Sequence, residues 1–259
     1  MTNNQSNIKI SKKYLDNNKC IAVPTETVYG IAGNAYSNIA VKKIFILKKR
    51  PKYNPLIVHY HNLSNLKNDC VLNKKFFLLY KKFCPGPLTF ILKLKKKSKI
   101  SKFVTNNKKV VAIRFPKHPM FKNLLKNLDY PLAAPSANIY TGLSSVKADD
   151  VQEEFGNKIK FILDGGRCKI GIESTIINLV SKPKIMRLGG LEIEKIKKIL
   201  KEPINIDINP KIKSAPGQSK IHYSPGIPVR MNAKKERKDG AYLTLKKMKN
   251  RKKNFFYLS

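Results

Sequence analysis

Pro24-Thr25-Glu26-Thr27-Val28-Tyr29-Gly30 follows an apolar segment, and one helix later come Lys48-Lys49-Arg50-Pro51 and Asn54-Pro55-Leu56-Ile57-Val58-His59. Small hydroxyls after a strand, then cations, an amide and an imidazole, are the chemistry of a pocket for a phosphorylated nucleotide beside a small polar substrate. An arginine fork matches phosphate oxygens bidentately, and a lysine supplies a point charge. Cations at a helix C-terminus also simply complement the macrodipole. That plainer reading covers Lys42, Lys43 and Lys49. It covers less well Arg50, which is locked by Pro51 and followed by Asn54-Pro55.

Three further constellations carry chemistry. In Pro131-Leu132-Ala133-Ala134-Pro135-Ser136-Ala137-Asn138 a buried strand ends at Pro135, and Ser136 and Asn138 project from its carboxyl end, where open α/β sheets bind ligands. Thr141-Gly142-Leu143-Ser144 extends it into a hydroxyl-rich loop. Taken alone, an ordinary Ser/Asn turn explains this segment better. Val110-Val111-Ala112-Ile113-Arg114-Phe115 puts one arginine at the end of an apolar strand, a costly place unless it is paired. Acidic partners are few in this chain, which favours a ligand carboxylate over a structural ion pair. Asp164-Gly165-Gly166, Gly171-Ile172-Glu173-Ser174-Thr175-Ile176 and Arg187 before Gly189-Gly190 form the last piece. His222-Tyr223-Ser224-Pro225, in a linker, reads by itself as incidental.

The elements that must position these groups alternate irregularly. Helices are expected at Ser11–Asn17, Ser37–Lys49 (Ser37 as N-cap), Lys74–Phe83, Pro119–Leu128, Val146–Phe155 and Glu192–Leu200. Strands are expected at Cys20–Val23, Leu56–His59, Leu88–Leu94, Val110–Phe115, Leu132–Ala134, Phe161–Leu163, Ser174–Val180 and Lys184–Arg187. This is an α/β pattern, a twisted mixed parallel/antiparallel sheet with flanking helices. Glu202–Gln218 reads as a linker, and Arg230–Ser259 as a basic tail too short to fold alone. The domains expected are 8–200, catalytic; 201–229, a linker that covers the site; and 230–259, a poorly ordered remnant.

Lys and Arg number 53 against 16 Asp and Glu among 259 residues, a formal charge of +37. A polyanion partner such as tRNA is one source of that excess. Drift toward AT-rich codons, which specify Lys, Asn and Ile, is the other, and the spread of lysines along the whole chain favours it. Nonspecific RNA affinity follows either way. Cys20, Cys70, Cys84 and Cys168 have no metal-type spacing, so free thiols and no metal site are expected. The polar N-terminus and the lack of an apolar run of about 20 residues imply a cytoplasmic protein with no membrane partner.

Taken together and in this order, Pro24–Gly30, Lys48-x-Arg50 with Ser136-x-Asn138, Arg114, Glu173–Ile176, Arg187 and His222-Tyr223-Ser224-Pro225 resemble the YrdC-like family of L-threonylcarbamoyladenylate synthases, over about residues 8 to 228. The linker motif resembles the family's long form, here with a shortened C-terminal domain. The resemblance implies a sheet enclosing a deep, positively charged cavity. It implies an enzyme that takes ATP (with Mg2+), L-threonine and bicarbonate, and yields threonylcarbamoyl-AMP and pyrophosphate for transferase proteins that modify tRNA. Thr27, His59, Arg114, Ala134 and Ser174 would line the threonine site, with Arg114 on the carboxylate. Arg50, Asn54, Val110, Ser136, Ser144, Arg187 and Tyr223 would contact ATP, and Lys48 and Asn138 would complete the triphosphate signature as catalytic partners of Arg50 and Ser136. Lys49 stands where the family usually has Gly, Leu188 where Pro is usual, and Ile221 where Arg is common.

Two rival readings remain. A non-enzymatic protein binding duplex RNA would use the same charge but leaves Arg114 unexplained. A carbamoyl-adenylate enzyme of hydrogenase maturation would carry zinc-finger and acylphosphatase modules that this sequence lacks. The enzymatic reading requires Arg50, Arg114, Ser136 and Ser174 to share one hollow.

Overall fold

The computed structural model describes residues 3–208, 227–235, 237, 239–245 and 255–257. The chain divides into two units, Met1–Ser224 and Pro225–Ser259. The first opens with α1 (Asn3–Asp16), β1 (Ile21–Val23), β2 (Gly30–Asn34), α2 (Asn38–Leu47), β3 (Ile57–His59), α3 (Leu63–Asp69), β4 (Cys70–Val71), α4 (Lys74–Phe83) and β5 (Leu88–Leu94). It continues with α5 (Lys102–Thr105), β6 (Val110–Arg114), α6 (Pro119–Lys126), β7 (Leu132–Ala133), α7 (Ala148–Phe155), β8 (Thr175–Asn178), β9 (Lys184–Arg187), α8 (Ile193–Leu200) and β10 (Asn205–Ile206). In the second unit β11 (Tyr242–Thr244) pairs in parallel with β12 (Phe255–Tyr257).

The ten strands of the first unit form one mixed sheet in the order β1-β2-β7-β3-β6-β5-β8-β9-β10, with β4 beside the far end of β5. Pairs β3–β6, β5–β8 and β9–β10 are parallel, and the others are antiparallel. This is the mixed α/β sheet expected from the sequence.

Alternation along the strands sorts side chains onto two faces. Phe90, Leu92, Val111 and Ile113 face the main core, with Val41, Ile44 and Phe45 of α2, Phe76 and Leu79 of α4, and Ile196 of α8. Ile57, Ile91, Ala112, Ile176 and Met186 form a separate apolar cluster. A third cluster seats α1 and α6 against β1 and β2 through Ile8, Leu15, Phe121, Leu124 and Ile21.

The register places the chemistry. His59 lies opposite Arg114, Arg114 opposite Thr89, Thr89 beside Ile176, and Ile176 opposite Arg187. One row across five strands therefore carries an imidazole, a hydroxyl and two guanidinium groups. By the same alternation His59, Thr89 and Arg114 leave the sheet on the face of Ile57, Ile91 and Ala112.

Several boundaries differ from the sequence reading. Helix α1 begins at Asn3, not at residue 11, because Ile8, Ser11 and Leu15 form one buried stripe. Strand β2 was not expected: Gly-Ile-Ala-Gly-Asn has poor strand propensity, but it is paired on both sides, by β1 and β7. Helix α3 was also missed; the Asn62 side chain caps it by accepting from Asn65 N at 3.0 Å. Segment 161–163 makes only a single bridge, Ala22 to Ile162, rather than a strand. Asn205–Ile206, inside the expected linker, extends the sheet from β9. Ser37 caps α2 as expected, accepting from Ala40 N.

Candidate active site

At the row of His59 and Arg114 the sheet opens into a cleft. Arg50, Arg114, Ser136 and Ser174 all line it, joined by His59, Ala134 and Arg187. Seven sequence-predicted residues from six separated segments therefore share one hollow. Thr25, Tyr29, Ile57 and Glu173 line it with them.

One end is built on the α2 C-terminus. Arg50 donates from Nε to Asn54 O at 3.1 Å, and from Nη2 to Asn54 Oδ1 at 2.6 Å and Pro55 O at 2.9 Å. Asn54 thus aims the fork through a short turn set by Pro51 and Pro55. Burial, aided by the like charge of Arg187, pushes Arg50 down to about 10. Its guanidinium sits 6.0 Å from the Tyr140 ring centroid.

Lys48 turns away from the cleft lining. It is 1% exposed, and its ammonium donates to Ser136 O at 2.6 Å, to Asn138 O and to Asn138 Oδ1 at 3.3 Å. Its own carbonyl accepts from Tyr140 N at 2.8 Å. Burial, followed by repulsion from Arg50, holds its pKa well below the usual lysine value. Ser136 donates to Asn138 Oδ1 at 2.6 Å, closing the turn. Lys48 and Asn138 therefore shape the loop that presents Ser136.

Strands β8 and β9 supply the opposite wall. Arg187 donates from Nε to Ser174 O at 3.0 Å and from Nη2 to Ser174 Oγ at 3.1 Å, and Ser174 Oγ meets Thr89 Oγ1 at 2.7 Å. Glu173 accepts from Ser144 Oγ at 2.6 Å, which draws the hydroxyl loop inward. This packing needs a glycine at 189: a Cβ there would lie 2.3 Å from Glu173 O and 2.5 Å from Ser174 C, both backbone atoms.

The remaining wall joins β6 to the hydroxyl turn after β1. Arg114 is 4% exposed and donates from Nη2 to Glu26 Oε1 at 2.6 Å, from Nη1 to Thr27 Oγ1 at 2.8 Å and from Nε to Gly86 O at 3.3 Å. The chain thus supplies the carboxylate partner that its scarcity of acids argued against. Burial works against ionised Glu26, but Arg114 and the Lys117 N–H, 2.9 Å from Oε2, outweigh it and lower the pKa. Among the described residues these contacts engage three of the five guanidinium N–H groups, leaving one on each Nη. His59 is 2% exposed, and among the described residues its Nδ1 has no hydrogen-bond partner. Burial, then the charge of Arg114, pushes its pKa down to about 3, so the imidazole is neutral.

The other sequence-predicted residues stand back from the lining. Thr27, Asn54, Asn138, Lys48 and Ser144 each hold a residue that lines the cleft. Val110 begins β6 and packs on the cluster of Ile57, Ile91 and Ala112. Tyr223 lies outside the described residues. The sequence reading assigned no role to Glu26, although an acid between two threonines, in a chain poor in acids, was a usable signal. Tyr29 was likewise unassigned; its hydroxyl donates to Gly166 O at 2.9 Å and accepts from Gly165 N at 3.0 Å.

A family model, Sua5_yciO_yrdC, described as telomere recombination, matches residues 13–189. The chain belongs to the Sua5/YciO/YrdC family. Threonylcarbamoyl-AMP synthase of Pyrococcus abyssi is 39% identical over 86% of this chain and 66% of its own length. The Bacillus subtilis protein of the same name is 37% identical over 88% of this chain and 67% of its own length. This member of the family thus spans about two thirds of these relatives. Among solved structures, P. abyssi Sua5 complexed with L-threonine superposes with a TM-score of 0.80 at 38% identity, covering 84% of this chain and 65% of that one. No helix among the described residues is long and apolar enough to cross a membrane.

Proposed function

We propose that this chain is a nucleotidyltransferase that forms threonylcarbamoyl-AMP and pyrophosphate from L-threonine, bicarbonate or CO2, and ATP. One observation carries the reading. The residues that the family resemblance gives to threonine (His59, Arg114, Ala134, Ser174) and those it gives to ATP (Arg50, Ser136, Arg187) line the same cleft. The relative solved with L-threonine supports the amino-acid half.

In this reading the threonine amine captures CO2 as a carbamate. A carbamate oxygen then attacks the α-phosphorus of ATP in line, and pyrophosphate leaves with the electron pair of the broken P–O bond. No protein nucleophile is needed; positioning and charge neutralisation supply the rate. The two free N–H groups of Arg114 take the threonine carboxylate. Arg50 and Arg187 offset phosphate charge, and Ser136 orients a phosphate oxygen. Lys48 and Asn138 act one step back, by fixing the loop that carries Ser136. Tyr223 and its linker would close over the nucleotide and keep water from the labile product.

Cations, hydroxyls and the single carboxylate Glu173 suit a Mg2+ ion that arrives on the nucleotide's phosphates rather than in a cage of protein ligands. Among the described residues there is no group of three or more side chains that could hold a metal by themselves. When bound, the ion would neutralise phosphate charge.

The product would pass, in the cytoplasm, to transferase proteins that modify the adenosine beside the anticodon of tRNA. The charge of +37 gives weak RNA affinity, duplex RNA included. The test is pyrophosphate release from ATP with and without L-threonine and bicarbonate. Release that requires both supports the reading. Release independent of threonine, or none with the full chain, overturns it.

A further inference from the structure

We propose that Glu26 is a positioning residue for substrate, setting the guanidinium plane of Arg114 so that its two remaining N–H groups meet the carboxylate of the amino acid. The inference rests on the threonine reading above and adds to it a residue that does not itself touch substrate.

The geometry of Glu26 is that of a bracket. One carboxylate oxygen takes Arg114 Nη2, and the other takes the backbone N–H of Lys117, three residues beyond the arginine. Glu26 therefore grips both the tip of Arg114 and the chain segment that leaves β6. Its own backbone is pinned in turn: Glu26 O accepts from Ile170 N, and Thr27 O from Gly171 N, each at 3.0 Å. With Thr27 on Nη1 and Gly86 on Nε, the guanidinium is held at all three nitrogens from two separate segments. A side chain held on three sides has one orientation left, and it lines the cleft.

An ion pair this deeply buried is weak evidence for stability, since apolar residues of similar volume often serve the fold as well. Its place explains it better. Both partners are over nine-tenths buried, and the arginine lines the cleft. Two carboxylates can share one guanidinium because its fork has two edges. Glu26 takes a single N–H of Nη2, and one N–H remains on each Nη. A competing arrangement, in which Glu26 must be displaced by substrate, makes the opposite prediction.

The experiment compares L-threonine with L-threoninol, which lacks the carboxylate, as ligands of wild-type and Glu26→Gln full-length protein by isothermal titration. ATP affinity is measured alongside. The expected result is a loss of L-threonine affinity on the order of 10- to 100-fold in E26Q, the range for a charged hydrogen bond, with threoninol and ATP affinities changed less than about threefold. Equal losses for threonine and threoninol reduce Glu26 to a structural ion pair and overturn the proposal. Tighter threonine binding in E26Q overturns it in favour of displacement. Should E26Q not fold, Glu26→Asp, which keeps the charge but shortens the reach, carries the same comparison. Absence of threonine binding by the wild-type protein overturns the threonine reading itself, and this inference with it, whereas threonine binding unaffected by E26Q overturns the inference alone.

Discussion

The ammonium of Lys48 lies 2.6 Å from the carbonyl oxygen of Ser136, so the C-cap of α2 is tied to a turn 88 residues away. Its other acceptors are the carbonyl and side-chain oxygens of Asn138. Three acceptors match the three N–H groups of a lysine. Lys48 thus anchors the loop that carries Ser136 to the end of α2.

Lys48→Met keeps most of the stem but takes the donor from the half-buried Ser136 carbonyl and from the buried Asn138 carbonyl, the latter at about 1–3 kcal/mol. The expected outcome is a melting temperature lowered by several degrees, loss of threonine-dependent pyrophosphate release, and threonine affinity within a few-fold of wild type. Unchanged melting with equal effects on both substrates would remove the anchoring role.

His59 sets an acid limit on stability. Its folded pKa is about 3, against about 6.5 in an unfolded chain. The unfolded state therefore takes up the proton first, and stability falls as pH drops from 6.5 toward 3, while above 6.5 this contribution is constant. Between pH 7 and pH 5 the loss from this group is about 2 kcal/mol. His61 and His118 are depressed as well, both mainly by burial, so the comparison must isolate His59. Urea denaturation of wild type and His59→Gln at the two pH values does so. The variant should lose about 2 kcal/mol less on acidification, and an identical loss in both proteins would contradict a neutral, buried imidazole.

The strands that carry chemistry were legible because they are apolar runs bounded by proline, as at Leu56–His59, Leu88–Leu94 and Val110–Arg114. Strand β2 was not, because its two glycines are tolerated only through pairing with β1 and β7, a property of the sheet and not of the segment. The cleft itself was legible as an ordered set of cations and hydroxyls. The division of labour inside it was not. Lys48 and Arg50 sit two residues apart in one cluster, yet the helix end turns one into the protein and the other into the cleft. In sequence alone Arg114 awaits a ligand, because its pattern does not place Glu26 of a distant turn 2.6 Å from it.

Asn54 aims Arg50, and the aim can be tested apart from the charge. Asn54→Ala removes the 2.6 Å contact from Nη2 and leaves the arginine in place. A hydrogen bond to a charged group contributes about 1.5–3 kcal/mol. The KM for ATP should rise by roughly 10-fold or more, with little change in the KM for threonine. Arg50→Ala, which removes the charge as well, should abolish pyrophosphate release. Asn54→Ala kinetics indistinguishable from wild type would mean that Arg50 is oriented by its neighbours' carbonyls alone.

Lys49 has φ of +49°, in the left-handed region. That conformation costs a residue with a Cβ roughly 1–2 kcal/mol and costs glycine nothing. The position follows the C-cap of α2, where glycine is the usual solution. Lys49 N donates to Ile46 O at 3.1 Å and Arg50 N to Phe45 O at 2.9 Å, so the strained residue is fixed between two closing bonds. Lys49→Gly relieves the strain but adds about 0.5–1 kcal/mol of chain entropy to the unfolded state. The net expectation is a gain of about 0.5–1 kcal/mol, read as a higher urea midpoint at unchanged m-value. The side chain lines no part of the cleft, so threonine-dependent turnover should stay within about twofold of wild type. A lower midpoint would show that the Lys49 side chain contributes more to the fold than its backbone strain removes.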